Sequence, residues 1–147
     1  MEKAEEAETK DAMEQELMLK ASFIEKQSNE LSDNIEYLNR QIGEMNEFAK
    51  DIKFLSDAKS NEAFSSLGKG IFMKTLFQEK DLFVEIGSGI VVRKTAEETR
   101  KIIEDKIREL FNLKTRLVAQ LELYDNLLRQ TIDGIGNLRE KGEKKAK

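Results

Sequence analysis

The stretch Gly68–Thr75, GKGIFMKT, resembles a nucleotide-binding motif, because its spacing is close to that of a phosphate-binding loop. Met73, however, occupies the second glycine position of that motif, where a side chain would obstruct the backbone amides that hold a phosphate. The stretch also has the glycines and apolar residues of a hairpin and strand rather than of a strand, loop and helix. We therefore expect no nucleotide site, and the sequence predicts no other cofactor.

Other residue types that commonly perform catalysis are missing or widely dispersed. The 147 residues contain no His and no Cys, which excludes imidazole acid–base chemistry, serine triads, thiol nucleophiles, histidine metal sites and disulfides. The 29 Asp and Glu residues are interleaved with 25 Lys and Arg residues in mixed runs, a pattern typical of solvated helix faces. We predict neither a catalytic site nor a metal site, and hence a protein that is not an enzyme.

The same composition limits the partners and the location of the protein. With a net charge of only -4 and no basic, aromatic platform, the chain is not expected to bind nucleic acid. No apolar run approaches the length of a membrane span, and the polar, acidic beginning is unlike a signal peptide. We expect a soluble protein of the cytoplasm that does not bind membranes.

Two long helices are predicted by apolar residues that recur every seven positions and form a stripe, which we call the seam. The first helix should run from about Ala12 to Asp57, and the second from about Ala96 to Lys141. Thr95 with Glu98 forms a capping box for the second helix, and Asp11 with Glu14 a weaker one for the first. The seam positions of the first helix are Leu17, Ile24, Leu31, Leu38, Met45 and Ile52, with Ala21, Ser28, Ile35, Ile42, Ala49 and Ser56. Those of the second are Ile103, Leu110, Leu117, Tyr124, Thr131 and Leu138, with Ile107, Lys114, Leu121, Leu128 and Ile135.

Between the helices, alternating apolar residues and glycine-containing turns predict two linked β-hairpins. The four strands should cover about Ala63–Leu67, Ile71–Phe77, Leu82–Ile86 and Ile90–Lys94. Two such hairpins are too small to be stable alone, and they would leave open edges and apolar side chains on both faces. We therefore expect them to pair with strands of other subunits through Phe64, Leu67, Ile71, Phe72, Leu76, Leu82, Val84, Ile86, Ile90 and Val92.

The predicted fold class is thus α+β, with a long antiparallel two-helix coiled coil and two linked hairpins at one end that join a β-barrel between subunits. Residues 1–57 should form the first coiled-coil helix with a polar tail, 58–95 the hairpin region for assembly, and 96–147 the second coiled-coil helix with a polar tail. The end of the coiled coil away from the hairpins should carry both chain termini.

This arrangement, with LGKGIFMK and LFVEIGSGIVVRKT in its hairpins, resembles the prefoldin family over nearly the whole chain, and within it the archaeal alpha subunits. The resemblance implies an ATP-independent chaperone, a holdase that captures unfolded proteins at coiled-coil tips and delivers them to a group II chaperonin. It also implies assembly with prefoldin beta-type subunits in an α2β4 hexamer. Self-assembly is the alternative, because some alpha-like relatives, the gamma prefoldins, form filaments without beta.

If the chain is such a holdase, apolar residues near the tips are the expected client contacts, since flexible apolar side chains suit many unrelated sequences. These residues are Met13, Leu17, Met18, Leu19 and Phe23 in the first helix and Leu127, Leu128, Ile132 and Ile135 in the second. Gly134 and Gly136 weaken the second helix there, and this loosening either exposes the seam or is ordinary fraying near a terminus.

Two alternatives remain open on the sequence. Met18, Leu19 and Phe23 could simply pack around the seam or be singly exposed, as apolar residues often are. The chain could also be a structural scaffold or filament subunit, assembled through its hairpins, with the coiled coils acting as spacers.

Overall fold

The computed structural model of the protein describes residues 1–146, with side chains described through Lys144. The elements follow one another as helix α1 (Glu2–Asp57), strands β1 (Glu62–Gly68), β2 (Ile71–Leu76), β3 (Leu82–Gly87) and β4 (Ile90–Lys94), and helix α2 (Ala96–Ala146). The predicted order of a helix, two hairpins and a second helix is confirmed. Neither helix has a stretch within the described residues that is long and apolar enough to cross a membrane.

Helix α1 begins at Glu2, so the predicted start near Ala12 and the predicted cap of Asp11 and Glu14 are wrong. The segment before Ala12 is rich in Glu, Lys and Ala, which favour helix, and contains neither Gly nor Pro. Glu2 also lies in the first turn, where its carboxylate offsets the partial positive charge of the helix start. The segment predicted as a polar tail is therefore helical.

Helix α2 begins as predicted, with a capping box. The Glu98 amide donates to Thr95 Oγ1 at 3.1 Å, and the Thr95 amide donates to Glu98 Oε2 at 2.9 Å. These bonds satisfy two amides that have no partner within the helix. The predicted end near Lys141 is too early, because the helix continues to Ala146.

The chain divides into two compact units, and each contains part of both helices. The first unit consists of Met1–Asn39 together with the chain from Asn112 onward. The second consists of Arg40–Phe111 and contains both hairpins.

In the first unit the two helix segments run antiparallel. Glu14 forms an ion pair with Arg139, whereas Leu17, later in α1, lies beside Gly134, earlier in α2. The predicted seam positions here are buried or half-buried, and the buried ones are Ile24, Ser28, Leu31, Leu38 and Thr131. This periodic burial confirms the predicted seam in this unit.

In the second unit a small core forms where the end of α1 meets the start of α2. Ile52, Ala96 and Ile103 are buried together, and Leu82, the first residue of β3, packs against them. The second hairpin is therefore attached to the helices by an apolar contact. Met45, Ala49 and Ile107 complete the cluster.

The four strands form two separate antiparallel hairpins, β1–β2 and β3–β4. Each register shifts beside the turn, between Ser66 and Gly68 in the first hairpin and between Glu85 and Gly87 in the second. Because each described sheet has only two strands, every strand has an edge whose backbone groups face no other strand.

The turns explain the glycine spacing that predicted them. Lys69 and Gly70 have φ of 51° and 78°, and Ser88 and Gly89 have φ of 50° and 73°. Positive φ at both central residues is typical of the type I′ turn, whose twist matches that of the flanking strands. The second central position is glycine in both hairpins, which avoids the steric cost that another side chain would meet.

Candidate functional site

The first candidate surface is the tip, by which we mean residues 13–24 of α1 and 123–138 of α2, all in the first unit. Several apolar side chains of the tip lie largely in solvent. Leu19 is 74% exposed, Phe23 61% and Ile132 54%, and Met13 and Met18 are each about half exposed. These side chains are available for contact with another molecule.

The other predicted tip residues are half-buried: Leu17, Leu127, Leu128 and Ile135. Leu17 is half-buried because α2 lies close to it. A Cβ atom added at Gly134 would lie 3.4 Å from Leu17 Cδ1. The helices approach closely at this level, so the seam uses part of the apolar surface that the sequence assigned to clients.

One exposed apolar residue of the tip was not predicted. Leu123 is 69% exposed and lies outside both seam series of α2. Ile132 was predicted because it is an apolar residue near the helix end that lies outside the seam series. Leu123 meets the same criterion. It is therefore added to the candidate contacts.

Polar side chains interrupt the seam beside the tip. The Thr131 hydroxyl donates to the Leu127 carbonyl at 2.8 Å, a local bond that satisfies it although the residue is buried. Ser28 is also buried, but its Oγ has no hydrogen-bond partner within the described part of the chain. A buried hydroxyl without a partner lowers the stability of the folded state.

A groove lies between the helix ends of the first unit, with a volume of about 1190 Å³. Met13 of α1 and Leu138 of α2 contribute apolar lining, and lysine and acidic side chains form much of the remainder. An ion pair of 2.7 Å between Arg139 Nε and Glu14 Oε1 joins the two helices nearby. Apolar and charged side chains therefore lie next to one another in this groove, at the edge of the tip.

The second candidate surface is formed by the hairpins. In the first hairpin Phe64 pairs with Lys74 and Ser66 with Phe72, so that Phe64, Phe72 and Leu76 share one face. Lys74 forms an ion pair of 2.8 Å with Glu62 on that same face. Its three apolar side chains are exposed to solvent beside this ion pair, which suits contact with another protein chain.

The second hairpin has apolar side chains on both faces. Val84 pairs with Val92, and Leu82 shares their face. Phe83 pairs with Arg93 on the opposite face, where Val91 is also located. One face therefore has aliphatic side chains, and the other has apolar and charged side chains.

Most of the predicted assembly residues are exposed: Phe64, Leu67, Ile71, Phe72, Leu76, Ile86 and Ile90. The remaining three, Leu82, Val84 and Val92, are half-buried. The prediction omitted Met73, Phe83 and Val91, which are also exposed. Phe83 and Val91 alternate with predicted residues along their strands, so the two-residue period would have assigned them to the second face of that hairpin. Met73 lies two residues after the predicted Ile71 and shares its face.

An ion-pair network attaches the connection between the hairpins to β4. Arg93 Nε donates to Asp81 Oδ2 at 2.6 Å, and Nη2 donates to Glu79 Oε2 at 2.5 Å. The hydrogen bond to Asp81 and the charges of both carboxylates raise the pKa of Arg93. The Lys80 ammonium donates to the Ala58 carbonyl, so this connection is also bound to the end of α1.

The stretch that approached a phosphate-binding motif, Gly68–Thr75, forms the turn and β2 of the first hairpin. Lys74 is paired with Glu62, and the Thr75 hydroxyl donates to the Ala63 carbonyl at 3.2 Å. The predicted interpretation as hairpin and strand is confirmed.

Comparison with known proteins tests the resemblance. Residues 24–144 match the family described as prefoldin subunit. The chain belongs to the prefoldin family. Prefoldin subunit alpha of Methanospirillum hungatei is 30% identical over 105 residues, which are 66% of this chain and 70% of that protein. Prefoldin subunit alpha of Methanobrevibacter smithii is 27% identical over 131 residues, 88% of this chain and 85% of that protein.

A solved structure has a fold similar to that of this prefoldin. The cryo-EM structure of filamentous PFD from Methanocaldococcus jannaschii superposes with a TM-score of 0.66 at 19% identity, over 75% of this chain and 93% of that chain. The predicted fold of two long helices and two hairpins is therefore confirmed. Prefoldins are chaperones that form oligomers with other prefoldin subunits, and the predicted chaperone function is that of the family.

Proposed function

We propose that this prefoldin is an ATP-independent holdase that captures unfolded proteins at its tip and delivers them to a group II chaperonin. The observation that supports the proposal is the set of exposed apolar side chains at the tip, led by Leu19, Phe23 and Ile132. The predicted client contacts are Met13, Leu17, Met18, Leu19, Phe23, Leu127, Leu128, Ile132 and Ile135, to which Leu123 is added.

The mechanism follows from many weak contacts. Each exposed side chain buries little area against an unfolded chain, so a single tip binds weakly and releases easily. Several tips held in one oligomer strengthen binding by about 10² to 10⁴-fold without any new type of contact. A chaperonin that competes for the same apolar segments can then remove one tip at a time without nucleotide hydrolysis.

The test is aggregation of a chemically unfolded protein, followed by light scattering in the presence of the assembled chaperone. Changing Met18, Phe23 and Ile132 to Ser should abolish most of the suppression that the unaltered protein provides. The matched control changes Tyr37, Phe54 and Ile102 to Ser, because these apolar residues are also exposed but lie outside the tip. Equal suppression by the tip variant and the control variant, at equal assembled mass, would exclude the tip as the client site.

For assembly we propose that the hairpins pair with prefoldin beta-type subunits in an α2β4 hexamer. The open strand edges and the exposed apolar side chains on both faces of each hairpin support this proposal. Phe64→Ser with Phe72→Ser should reduce the mass formed with a beta subunit, measured by size-exclusion chromatography with light scattering. Phe54→Ser on α1 is the control, since it removes one exposed aromatic side chain without altering a hairpin.

The assembled mass and the aggregation assay together distinguish the scaffold alternative from the holdase function. A large assembly formed by this chain alone, without suppression of aggregation, would indicate a structural or filament subunit. Delivery to the chaperonin is tested by measuring the transfer of a labelled client from this prefoldin to a group II chaperonin. We propose that this delivery takes place in the cytoplasm.

A further inference from the structure

Methionine is the only sulfur-containing residue type in this protein, which has five Met and no Cys. Peroxides oxidise an accessible methionine thioether to a sulfoxide, which is polar and chiral. Met13 and Met18 are 51% and 50% exposed, so their thioethers can meet a small oxidant without any unfolding. Met45, by contrast, is half-buried and packs against the core of Ile52, Ala96 and Ile103.

The position of the two exposed methionines relates them to client binding. They lie on either side of Leu17 along α1, next to the level at which the helices approach closely at Gly134. Met13 also lines the groove of the first unit, together with Leu138. Both side chains therefore belong to the apolar part of the tip.

We propose that Met13 and Met18 form a peroxide-sensitive modification site whose oxidation weakens client capture. The inference rests on the proposed holdase function. In the reaction the thioether sulfur attacks the terminal oxygen of a peroxide, an S–O bond forms, the O–O bond breaks, and with hydrogen peroxide the other oxygen leaves as water. The sulfur loses two electrons and the peroxide gains them.

The expected effect follows from the chemistry of the product. A sulfoxide oxygen is a strong hydrogen-bond acceptor, and water solvates it better than an apolar client segment does. The oxidised tip loses affinity for apolar sequences while its helices stay paired, because neither methionine belongs to the predicted seam series. Since several weak tips act together, a loss at each tip is multiplied in the oligomer.

The experiment treats the assembled chaperone with hydrogen peroxide, removes the oxidant, and maps sulfoxides by peptide mass spectrometry. Aggregation of an unfolded test protein is then measured by light scattering, and each protein is compared with its own untreated sample. The unaltered protein should carry sulfoxide at Met13 and Met18 before Met45 and should lose most of its suppression. M13L/M18L should keep its untreated level after peroxide, because leucine is apolar and is not oxidised. The control is M73L, which removes an oxidisable methionine from a hairpin and leaves Met13 and Met18 in place. After peroxide treatment it should lose suppression of aggregation as the unaltered protein does.

A second measurement uses the unaltered protein alone, so the inference does not depend on the M13L/M18L variant binding clients. Partially oxidised protein is mixed with client, and client-bound and free chaperone are separated by size. Sulfoxide at Met13 and Met18 should be enriched in the free fraction. Equal sulfoxide in both fractions, full suppression by oxidised protein, or absence of oxidation at these residues would overturn the inference. Failure of the untreated protein to suppress aggregation would instead refute the proposed holdase function.

Discussion

Ser28→Ala should stabilise the protein, because it removes a hydroxyl group that is buried without a partner. Ser28 is 8% exposed, lies in the seam between the buried Ile24 and Leu31, and has no hydrogen-bond partner for Oγ among the described residues. A buried donor without a partner costs about 1–3 kcal/mol. Alanine also has the higher helix propensity, by about 0.5 kcal/mol. We expect a gain of at least about 1 kcal/mol.

The control for this change is Ser32→Ala, one turn later in α1. Ser32 is exposed and its hydroxyl donates to the Ser28 carbonyl at 2.9 Å, so the change gives the same gain in helix propensity but relieves no buried group. The difference between the two variants therefore contains the cost of burying the Ser28 hydroxyl and the contribution of the hydrogen bond that Ser32→Ala removes.

The assay is urea-induced unfolding followed by far-UV circular dichroism, at one fixed concentration, since assembly makes stability concentration-dependent. A rise in the urea midpoint for Ser28→Ala at unchanged slope indicates a gain in stability. The corresponding rise in Tm should be about 2–4 °C per kcal/mol for a chain of this size. If Ser28→Ala is no more stable than Ser32→Ala, the reasoning about the buried hydroxyl is wrong.

Three further predictions concern the core, the cap and the tip. Ile103→Ala should cost about 2–5 kcal/mol in urea unfolding, because Ile103 is 6% exposed and the change leaves a cavity. The hydrogen bond from the Thr95 amide lowers the pKa of Glu98 below its ordinary value of 4.5, so this bond should stabilise the protein above that pH and lose its effect as the pH falls through the folded-state pKa. Glu98→Gln should abolish this part of the pH dependence of Tm, and an unchanged profile would contradict it. Gly134→Ala should stabilise α2 by about 1 kcal/mol and so slow amide hydrogen exchange at the tip. The added Cβ atom would lie 3.4 Å from Leu17 Cδ1, which is an ordinary contact. Faster exchange in the variant would indicate a clash.

Much of the fold could be predicted because it is encoded locally. The seven-residue period identified Ile24, Leu31 and Ile103 as buried, and Thr95 with Glu98 located the start of α2. The start of α1 was predicted wrongly because Asp11 is a good capping residue in a sequence that favours helix on both sides of it. A local signal fails where helix propensity outweighs a cap.

The candidate site was less predictable, because exposure depends on what packs against each residue. Leu19 and Leu127 are both apolar and both near the tip, yet Leu19 is exposed and Leu127 half-buried. Leu123 and Phe83 were omitted from the predicted sites although the structure exposes both. Periodicity gives the face on which a residue lies, but not the distance to the neighbouring helix.

By itself, the sequence determined the two helices, the four strands and the places of the glycine-containing turns, because these depend on residues a few positions apart. Only the tertiary structure decided that Ser28 is buried without a partner and that Arg93 binds Glu79 and Asp81. It also decided which apolar side chains of the tip remain exposed. Such features depend on how distant segments of the chain meet, and no local period in the sequence encodes those distances.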